Sequence, residues 1–445
     1  MNTTRRNFLQ RAGAGAIVYK LAGARPQLKA ASKNDQIGLG FIGVGIRGTY
    51  LLQGFQAIPG VRPVIAADVY DGHHTNAKEI TKGAILTTRD YHEVLSRKDV
   101  DAVVIATPDH WHHRMTLDAF DAGKHVFVEK PMTWSIEQGR DVVAATQKSG
   151  KLLMVGSGAK TSPLTAKARE IVKSGALGKI NMVRMLNHRN NGEGAWVYAI
   201  PPDASPQTVD WERFLGNAPK RAYDPKIFFR WRCWWEYSGG VATDLFVHEL
   251  SQLHEMMDVV GPKSVVSQGG IYRWDDGRTV PDVMNSVYEY EPGLVADVYV
   301  NLGNSHAMHG TVIMGSEGTL ELGSRGRRGE QLTLYPEPVF PEAQRYGTNG
   351  WPLEMRRQYF ESLGYTAEGR PKSPPPPPKP AQEIAIDRGL VHHEYFIKSL
   401  RDGSPSKENA SEGYYAAGAA HLANISYRKG RRMNWDLKTG EVTEG

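Results

Sequence analysis

Three groups of side chains stand out in this chain by type and spacing: Thr107-Pro108-Asp109-His110-Trp111-His112-His113, Glu129-Lys130-Pro131, and the pair Asp244 and His248. A histidine changes charge near neutral pH and can take or give a proton during a reaction. An ammonium such as that of Lys130 stabilises negative charge developing on an oxygen. Asp244 and His248 are four residues apart in a stretch of helical spacing after Gly239-Gly240, which places them on one helix face. The first two groups each follow a short apolar run that reads as a strand, so both fall at the carboxyl edge of a parallel sheet, where open α/β folds bind ligands. His110, His112 and His113 taken with Asp244 and His248 also admit a metal site, an alternative ranked below a reading with none.

The elements that must position these groups begin at Ile37. Ile37 to Ile42 is an apolar run that ends in Gly43-Val44-Gly45-Ile46-Arg47-Gly48 and leads into a helical stretch from Thr49 to Ala57. Strand, turn and helix with this glycine spacing fit the dinucleotide fingerprint: one glycine for the turn, one for close approach of backbone to a pyrophosphate, one for helix-strand contact. A second apolar run, Val61 to Ala67, ends in Asp68, about 20 residues beyond Gly48, where a carboxylate accepts hydrogen bonds from the adenosine ribose and repels a 2′-phosphate. NAD is therefore the expected cofactor. Arg47 keeps NADP as the lesser alternative.

After Asp68 strands and helices alternate. Helices are expected over Asp71 to Lys82, Tyr91 to Arg97, His112 to Ala122 and Ser135 to Gln147, and strands over Ala102 to Ala106, His125 to Val128 and Lys151 to Val155. The pattern is that of a doubly wound parallel sheet, a Rossmann domain over 35–156. From about Lys179 the apolar segments alternate with period two, in Ile180 to Leu186, Ser264 to Tyr272, Asn285 to Tyr290, Ala296 to Asn301, Thr311 to Met314 and Thr319 to Leu322. They predict an α+β domain over 157–335, for substrate and oligomerisation, on a large open and mostly antiparallel sheet. Residues 336–380 hold 11 of the 26 prolines, so 336–382 is expected to be a surface loop. Helices at Leu390 to Leu400 and Glu412 to Arg428, within 383–438, are expected to return to the first domain.

The net charge of +6 belongs to one end: residues 1–31 carry Arg5, Arg6, Arg11, Lys20, Arg25 and Lys29 and no acid, and without them 48 basic residues face 48 acidic ones. No basic footprint for nucleic acid remains. Thr4-Arg5-Arg6-Asn7-Phe8-Leu9-Gln10, the small and apolar run Ala12 to Tyr19, and small residues for cleavage up to Ala31 resemble a twin-arginine export signal, which predicts a periplasmic or otherwise exported protein. No stretch approaches the roughly 20 apolar residues that span a bilayer. The lone Cys233 forms no internal disulfide.

Gly43 to Gly48, Asp68, Thr107-Pro108 with His112, Glu129-Lys130-Pro131, and Gly239-Gly240 leading to Asp244 and His248 together resemble the family of glucose-fructose oxidoreductase, inositol dehydrogenase and rhizopine catabolism proteins. The resemblance covers nearly everything after the leader. It implies an N-terminal Rossmann domain and a C-terminal α+β domain whose sheet carries a sugar or polyol and often a subunit interface. It implies cofactor contacts at Gly43, Val44, Gly45, Ile46, Arg47, Gly48, Asp68, Thr107, Pro108, His112, Glu129 and Lys130. By the same resemblance Lys130 lies beside the nicotinamide and the reacting hydroxyl, and Asp244 and His248 are the acid-base pair. Oxidising a secondary alcohol removes a hydride from carbon and a proton from oxygen, so a base must reach the hydroxyl. His248 suits that task; Asp244 orients it or takes the proton itself, and both remain open. Asp109 departs from the Asn usual in the family, adding a charge near the cofactor. Phe246 replaces a small residue, which narrows the pocket or swings the helix.

Phe228 to Tyr237 holds six aromatics in ten residues. Trp231, Trp234 and Trp235 can stack on sugar faces while Arg230 and Arg232 bond hydroxyls; an aromatic core or a subunit contact is the equal alternative. The expected function is that of an NAD-dependent oxidoreductase acting on a secondary hydroxyl of a sugar, glycoside or polyol, with homo-oligomers formed through the C-terminal sheet. An exported enzyme has no free nicotinamide pool, so the cofactor is expected to be tightly bound and reset in place. One alternative is an NAD-dependent glycosidase working by transient oxidation, against which Lys130 counts, since N-acetylgalactosaminidase relatives generally lack it. The other is a sugar-binding protein that holds NAD and catalyses nothing.

Overall fold

The computed structural model describes residues 36–306, 309–324, 327–338, 343–373, 377, 379–386 and 389–445, so the export signal lies outside the described residues. Apolar, β-branched runs make the first sheet. β1 (Ile37–Ile42) leads through the glycine turn into α1 (Ile46–Gln56), β2 (Val61–Ala67) into α2 (Asp71–Ile80), β3 (Leu86–Thr88) into α3 (Tyr91–Ser96), β4 (Ala102–Ile105) into α4 (Asp109–Asp121), and β5 (His125–Val128) into α5 (Ile136–Ser149); β6 (Leu153–Val155) closes the sheet. Every pairing is parallel, in the order β3-β2-β1-β4-β5-β6. The strand order reverses between β1 and β4, and the crevice beyond their carboxyl ends is the place where such a sheet binds ligands. β4 is buried at every residue, which explains an unbroken apolar run in place of alternation.

α6 (Pro163–Lys173) and β7 (Ile180–His188) begin the second unit. The chain then makes an excursion over residues 189–237 that includes α7 (Trp211–Leu215) and α8 (Pro225–Phe229). The helix carrying Asp244 and His248 opens as a π-turn over Ala242–Phe246 and continues as α9 (Val247–Met257). β8 (Ser264–Gly270), β9 (Val283–Tyr290), β10 (Leu294–Asn301), β11 (His309–Gly315), β12 (Gly318–Ser324) and β13 (Arg327–Pro336) follow, then α10 (Leu353–Ser362), β14 (Gln382–Ile384), α11 (His392–Asp402), α12 (Ala410–Lys429), β15 (Met433–Trp435) and β16 (Val442–Glu444). The strands form one sheet in the order β14-β13-β12-β11-β7-β10-β9-β8-β15-β16, parallel only at β7–β10. Burial alternates along β9, and along β10 except at the buried Asp297, and Val266, Val287 and Val295 stand exposed on the far face.

Two expectations are corrected here. The proline-rich stretch is not loop throughout, because Leu353–Ser362 is free of proline and forms α10, with Pro352 tolerated at its N-cap. The last segment is not helical alone: β15 and β16 form a hairpin that extends the large sheet beyond β8. α12 joins the two units, packing on α5 of the Rossmann domain and on β8 and α9 of the second. Its small residues let it come close. A Cβ at Gly413 would lie 2.6 Å from Val155 Cγ2, and one at Gly418 2.3 Å from a Trp435 ring carbon. Asn409 and Glu412 close its N-terminus as a reciprocal capping box.

Candidate active site

The glycine turn fixes one end of a cleft. Gly43 has φ +83°, and a Cβ there would lie 2.7 Å from the Ala106 carbonyl oxygen; a Cβ at Gly48 would lie 2.0 Å from the Gly43 carbonyl oxygen. Only glycine lets the strand turn and α1 sit this close. α1 follows Gly45 as its N-cap, with no acidic residue in its first turn and no side-chain cap, so its amide groups and dipole face the crevice. Asp68 braces this turn: Oδ2 accepts the Val44 N–H (2.8 Å) and Oδ1 the Tyr70 N–H (3.0 Å), with His73 Nδ1 at 3.0 Å. Burial pushes the Asp68 carboxyl up, but the charge of His73 and the N–H groups of Val44 and Tyr70 outweigh it, and the group is held below the ordinary carboxylate range. A carboxylate has about four acceptor sites, so capacity for a ribose hydroxyl remains.

A cavity of about 290 Å³ lies against Gly43, Gly45, Ile46, Arg47, Asp68, Thr107 and Pro108. It is roofed by the excursion 189–237, which contributes Tyr198, Phe214, Phe228, Phe229, Trp231 and Arg232. That roof is tied down by the Asp210 N–H to the Val69 carbonyl (2.7 Å), the Asp71 N–H to the Thr208 carbonyl (3.0 Å), and the Trp111 indole N–H to the Phe214 carbonyl (2.9 Å). A second cavity, of about 690 Å³, shares Ile46, Arg47, Thr107, Tyr198, Trp231 and Arg232 with the first and reaches Glu129, Lys130, Ser157, Asp244 and His248. The two form one continuous cleft across the sheet edge.

Lys130 Nζ lies 2.6 Å from Asp244 Oδ1 and 2.9 Å from the Asp244 carbonyl oxygen. Arg232 Nε donates to the same Oδ1 (3.1 Å), and the Trp196 indole N–H to Oδ2 (3.1 Å). Burial raises the proton affinity of Asp244, but the charges of Lys130 and Arg232 outweigh it and hold the carboxyl far below its ordinary range. An anion so committed is a poor proton acceptor. His248 is one helical turn on, with Nδ1 3.1 Å from the Ser157 carbonyl oxygen. A carbonyl only accepts, so Nδ1 carries the proton, and in the neutral ring Nε2 is the basic nitrogen.

Several expected contacts fall elsewhere. Val44 and Gly48 do not line the cleft: the Val44 N–H is spent on Asp68, and Gly48 serves helix-strand contact. His112 is buried, with its ring nitrogens 2.6 Å from the Pro131 and 2.9 Å from the Thr107 carbonyl oxygens; it holds the two loops in register and does not border the pocket. Arg230 donates to the Tyr198 carbonyl (2.8 Å) and so supports a lining residue without lining the cleft itself. Trp234 is packed in the core, and Trp235 lies beside Tyr427 and Arg428. Of the five expected substrate contacts, Trp231 and Arg232 alone line the cleft. Asp109 is buried and accepts from Thr243 Oγ1 (3.2 Å) on the π-turn; burial raises its pKa. It ties α4 to the Asp244 segment and borders the second cavity. Phe246 is fully buried at the end of the π-turn and is not among the residues that line the two cavities.

Arg47 Nε donates to Glu129 Oε1 (2.7 Å). Glu129 follows β5, on the opposite side of β1 from Asp68, so Arg47 is turned away from the position of a 2′-phosphate. His110 reaches the Phe214 carbonyl, His112 the two loops, and His113 Asp141, so the three histidines diverge. Among the described residues no group of three or more His, Cys, Asp or Glu side chains is arranged to hold a metal ion. Sequence reasoning missed Trp196, Tyr198, Ser157 and Arg189, all lining the reacting half; none sits in a pattern that local spacing marks.

The glycine turn at a helix N-terminus, the braced acid after β2 and the roofed cavity fit a dinucleotide. Comparison with known proteins agrees. Residues 37–157 match the oxidoreductase family with an NAD-binding Rossmann fold, and residues 165–321 the GFO/IDH/MocA C-terminal domain. A glycosyl hydrolase family 109 protein of Shewanella baltica is 29% identical over 224 residues, 45% of this chain and 47% of that one. An alpha-N-acetylgalactosaminidase of Shewanella oneidensis is 28% identical over 226 residues, with 45% and 47% covered. The chain thus spans about half the length of these curated relatives. Among solved structures, levoglucosan dehydrogenase in complex with NADH and levoglucosan superposes with a TM-score of 0.62 at 17% identity, covering 90% of this chain and 99% of that one. Aldose-aldose oxidoreductase from Caulobacter crescentus gives 0.63 at 16%, with 90% and 99% covered.

Proposed function

Since this chain belongs to the GFO/IDH/MocA oxidoreductase family, we propose that it oxidises a secondary hydroxyl of a sugar, glycoside or polyol at the Lys130 end of its cleft. The observation that carries this reading is the meeting of Lys130, Asp244 and His248 in one cavity continuous with the glycine turn. NAD, when bound, supplies the hydride acceptor. Gly43, Gly45 and the α1 amides would hold its pyrophosphate, Asp68 its adenosine ribose, and Thr107, Pro108 and Lys130 would border its far end.

Two of the three N–H groups of Lys130 are directed at Asp244, which leaves the third for a substrate oxygen. Asp244 fixes that ammonium and stays ionised. His248 Nε2 takes the hydroxyl proton as the C–H bond yields its hydride, so a ketone forms with charge balanced. Trp231 and Arg232 offer a ring face and a guanidinium to the sugar. The roof over the first cavity favours a cofactor retained between turnovers, in keeping with export through a twin-arginine signal. Homo-oligomers through the exposed valine face of the large sheet belong to the same proposal.

A second reading is favoured by the glycosyl hydrolase relatives: the ketone acidifies the neighbouring C–H, the aglycone is eliminated, water adds, and the hydride returns. One experiment decides. Purified protein loaded with NAD is offered a panel of sugars and glycosides, and nicotinamide absorbance and product mass are read together. A near-ultraviolet band of reduced nicotinamide that appears with an oxidised sugar supports the oxidoreductase. Liberated aglycone without net reduction selects the glycosidase. Neither signal with any substrate overturns both.

A further inference from the structure

Glu408 immediately precedes the N-cap of α12, is almost wholly buried, and has no part in the chemistry above. Its Oε1 accepts two hydroxyls: Ser157 Oγ, and Ser251 Oγ at 2.7 Å. The hydroxyls lie 3.1 Å apart. Oε2 has no partner. Its backbone carbonyl accepts the Val155 N–H at 2.9 Å, so both ends of Glu408 hold the segment that leaves β6. Ser157 belongs to that segment, and its carbonyl faces His248 Nδ1 at 3.1 Å. Ser251 stands on α9, three residues after His248 and so on the same side of the helix.

A buried carboxyl with one bare oxygen is costly. Burial pushes Glu408 up to about 7, with the two serine bonds pulling the other way, Glu412 adding to the rise and Lys160 opposing it. Lys160 is itself shared between Glu255 and Glu412. An acceptor is retained here at that cost, and the segment and the helix it joins are the two that carry His248 and its hydrogen-bond partner.

We propose that Glu408 is a positioning residue for His248: by taking both hydroxyls on one oxygen it locks the Ser157 carbonyl against Nδ1, so that the ring keeps its proton there and presents Nε2 to the cleft. This rests on the reading of His248 as the proton acceptor. The role needs an acceptor oxygen, not a charge, so a glutamine serves and an alanine does not.

The test uses the full chain loaded with NAD and isotope-labelled histidine, the His248 resonance being assigned by its loss in His248→Gln. Wild type and Glu408→Gln are expected to show the Nδ1–H tautomer, and Glu408→Ala a mixture. Turnover in Glu408→Ala should fall about tenfold with KM changed less than about twofold, and its pH profile should shift while that of Glu408→Gln does not. Should Glu408→Ala fail to fold, Ser251→Ala removes one of the two hydroxyls and is read in the same way. A wild-type tautomer and pH profile in the alanine variants overturns the proposal, as does a glutamine variant that fails alongside alanine. If wild type oxidises no sugar, the functional reading falls by itself, and the tautomer signal still decides this one.

Discussion

At the adenosine end of the cleft the work is done by backbone and apolar surface: glycines in a turn, amides at a helix start, one braced carboxylate, and aromatic rings folded over from residues 189–237. At the reacting end it is done by charged and hydrogen-bonding side chains from distant places, with Lys130, Arg232 and Trp196 converging on Asp244 and Glu408 standing behind His248. The first end depends on shape, with Asp68 as its one charged anchor. The second depends on charge and position, each group held by another. The division follows from the chemistry, since a dinucleotide needs a cradle and a departing proton needs a prepared acceptor.

The contrast is broken most directly at Lys130. Lys130→Ala removes an electrostatic donor, and turnover should fall about 10²–10³-fold with NAD affinity unchanged in a fluorescence titration, Asp244 still being held by Arg232 and Trp196. Loss of NAD with turnover would merge the two ends. The buried support of the reacting end has its own signature. The Glu408 pKa is raised from 4.5 to about 7 in the fold, so its protonated form is the stabilised one: stability is full below the unfolded pKa and declines as pH rises to about 7. Glu408→Gln removes that penalty, and denaturant unfolding should find it more stable than wild type at pH 8 by up to about 3 kcal/mol, with the difference gone near pH 4.

At the other end Gly43→Ala forces a side chain onto a positive φ and into the Ala106 carbonyl. It should cost about 1–3 kcal/mol of stability and weaken NAD about tenfold or more, while turnover at saturating NAD stays within about threefold, a split that KM for NAD against kcat reports. The smallest effect separates two tryptophans of one stretch. Trp231→Ala should raise KM for the sugar by about fivefold, on the scale of one ring contact, whereas Trp235→Ala, on the far side beside Tyr427 and Arg428, should leave it unchanged.

The legibility of the two ends in the sequence follows the same division. The adenosine end was legible because Gly43, Gly45, Gly48 and Asp68 act through local backbone geometry at fixed spacing. Lys130, Asp244 and His248 are legible through their order along the chain, whereas the bond of Arg232 to Asp244 is not, since it joins two elements through the fold, and Trp196 escapes because it lies 48 residues away on the excursion. Trp234 and Trp235 failed for a related reason: aromatic residues serve a core, a surface or a sugar equally, and composition does not say which. α10 was hidden because the prolines around it dominate the stretch. β3, β15 and β16 are three residues each, too short for a period to register.

In the proposed reaction a hydride leaves a sugar carbon for NAD while the Lys130 end of the cleft handles the proton. A sugar deuterated at its secondary carbons, mixed with NAD-loaded protein and quenched within one turnover, gives the most direct measurement. Deuterium is expected on the nicotinamide by mass spectrometry in wild type and far less of it in Lys130→Ala at equal NAD content. Deuterium that stays on the sugar or passes to solvent, with none on the nicotinamide, would contradict it.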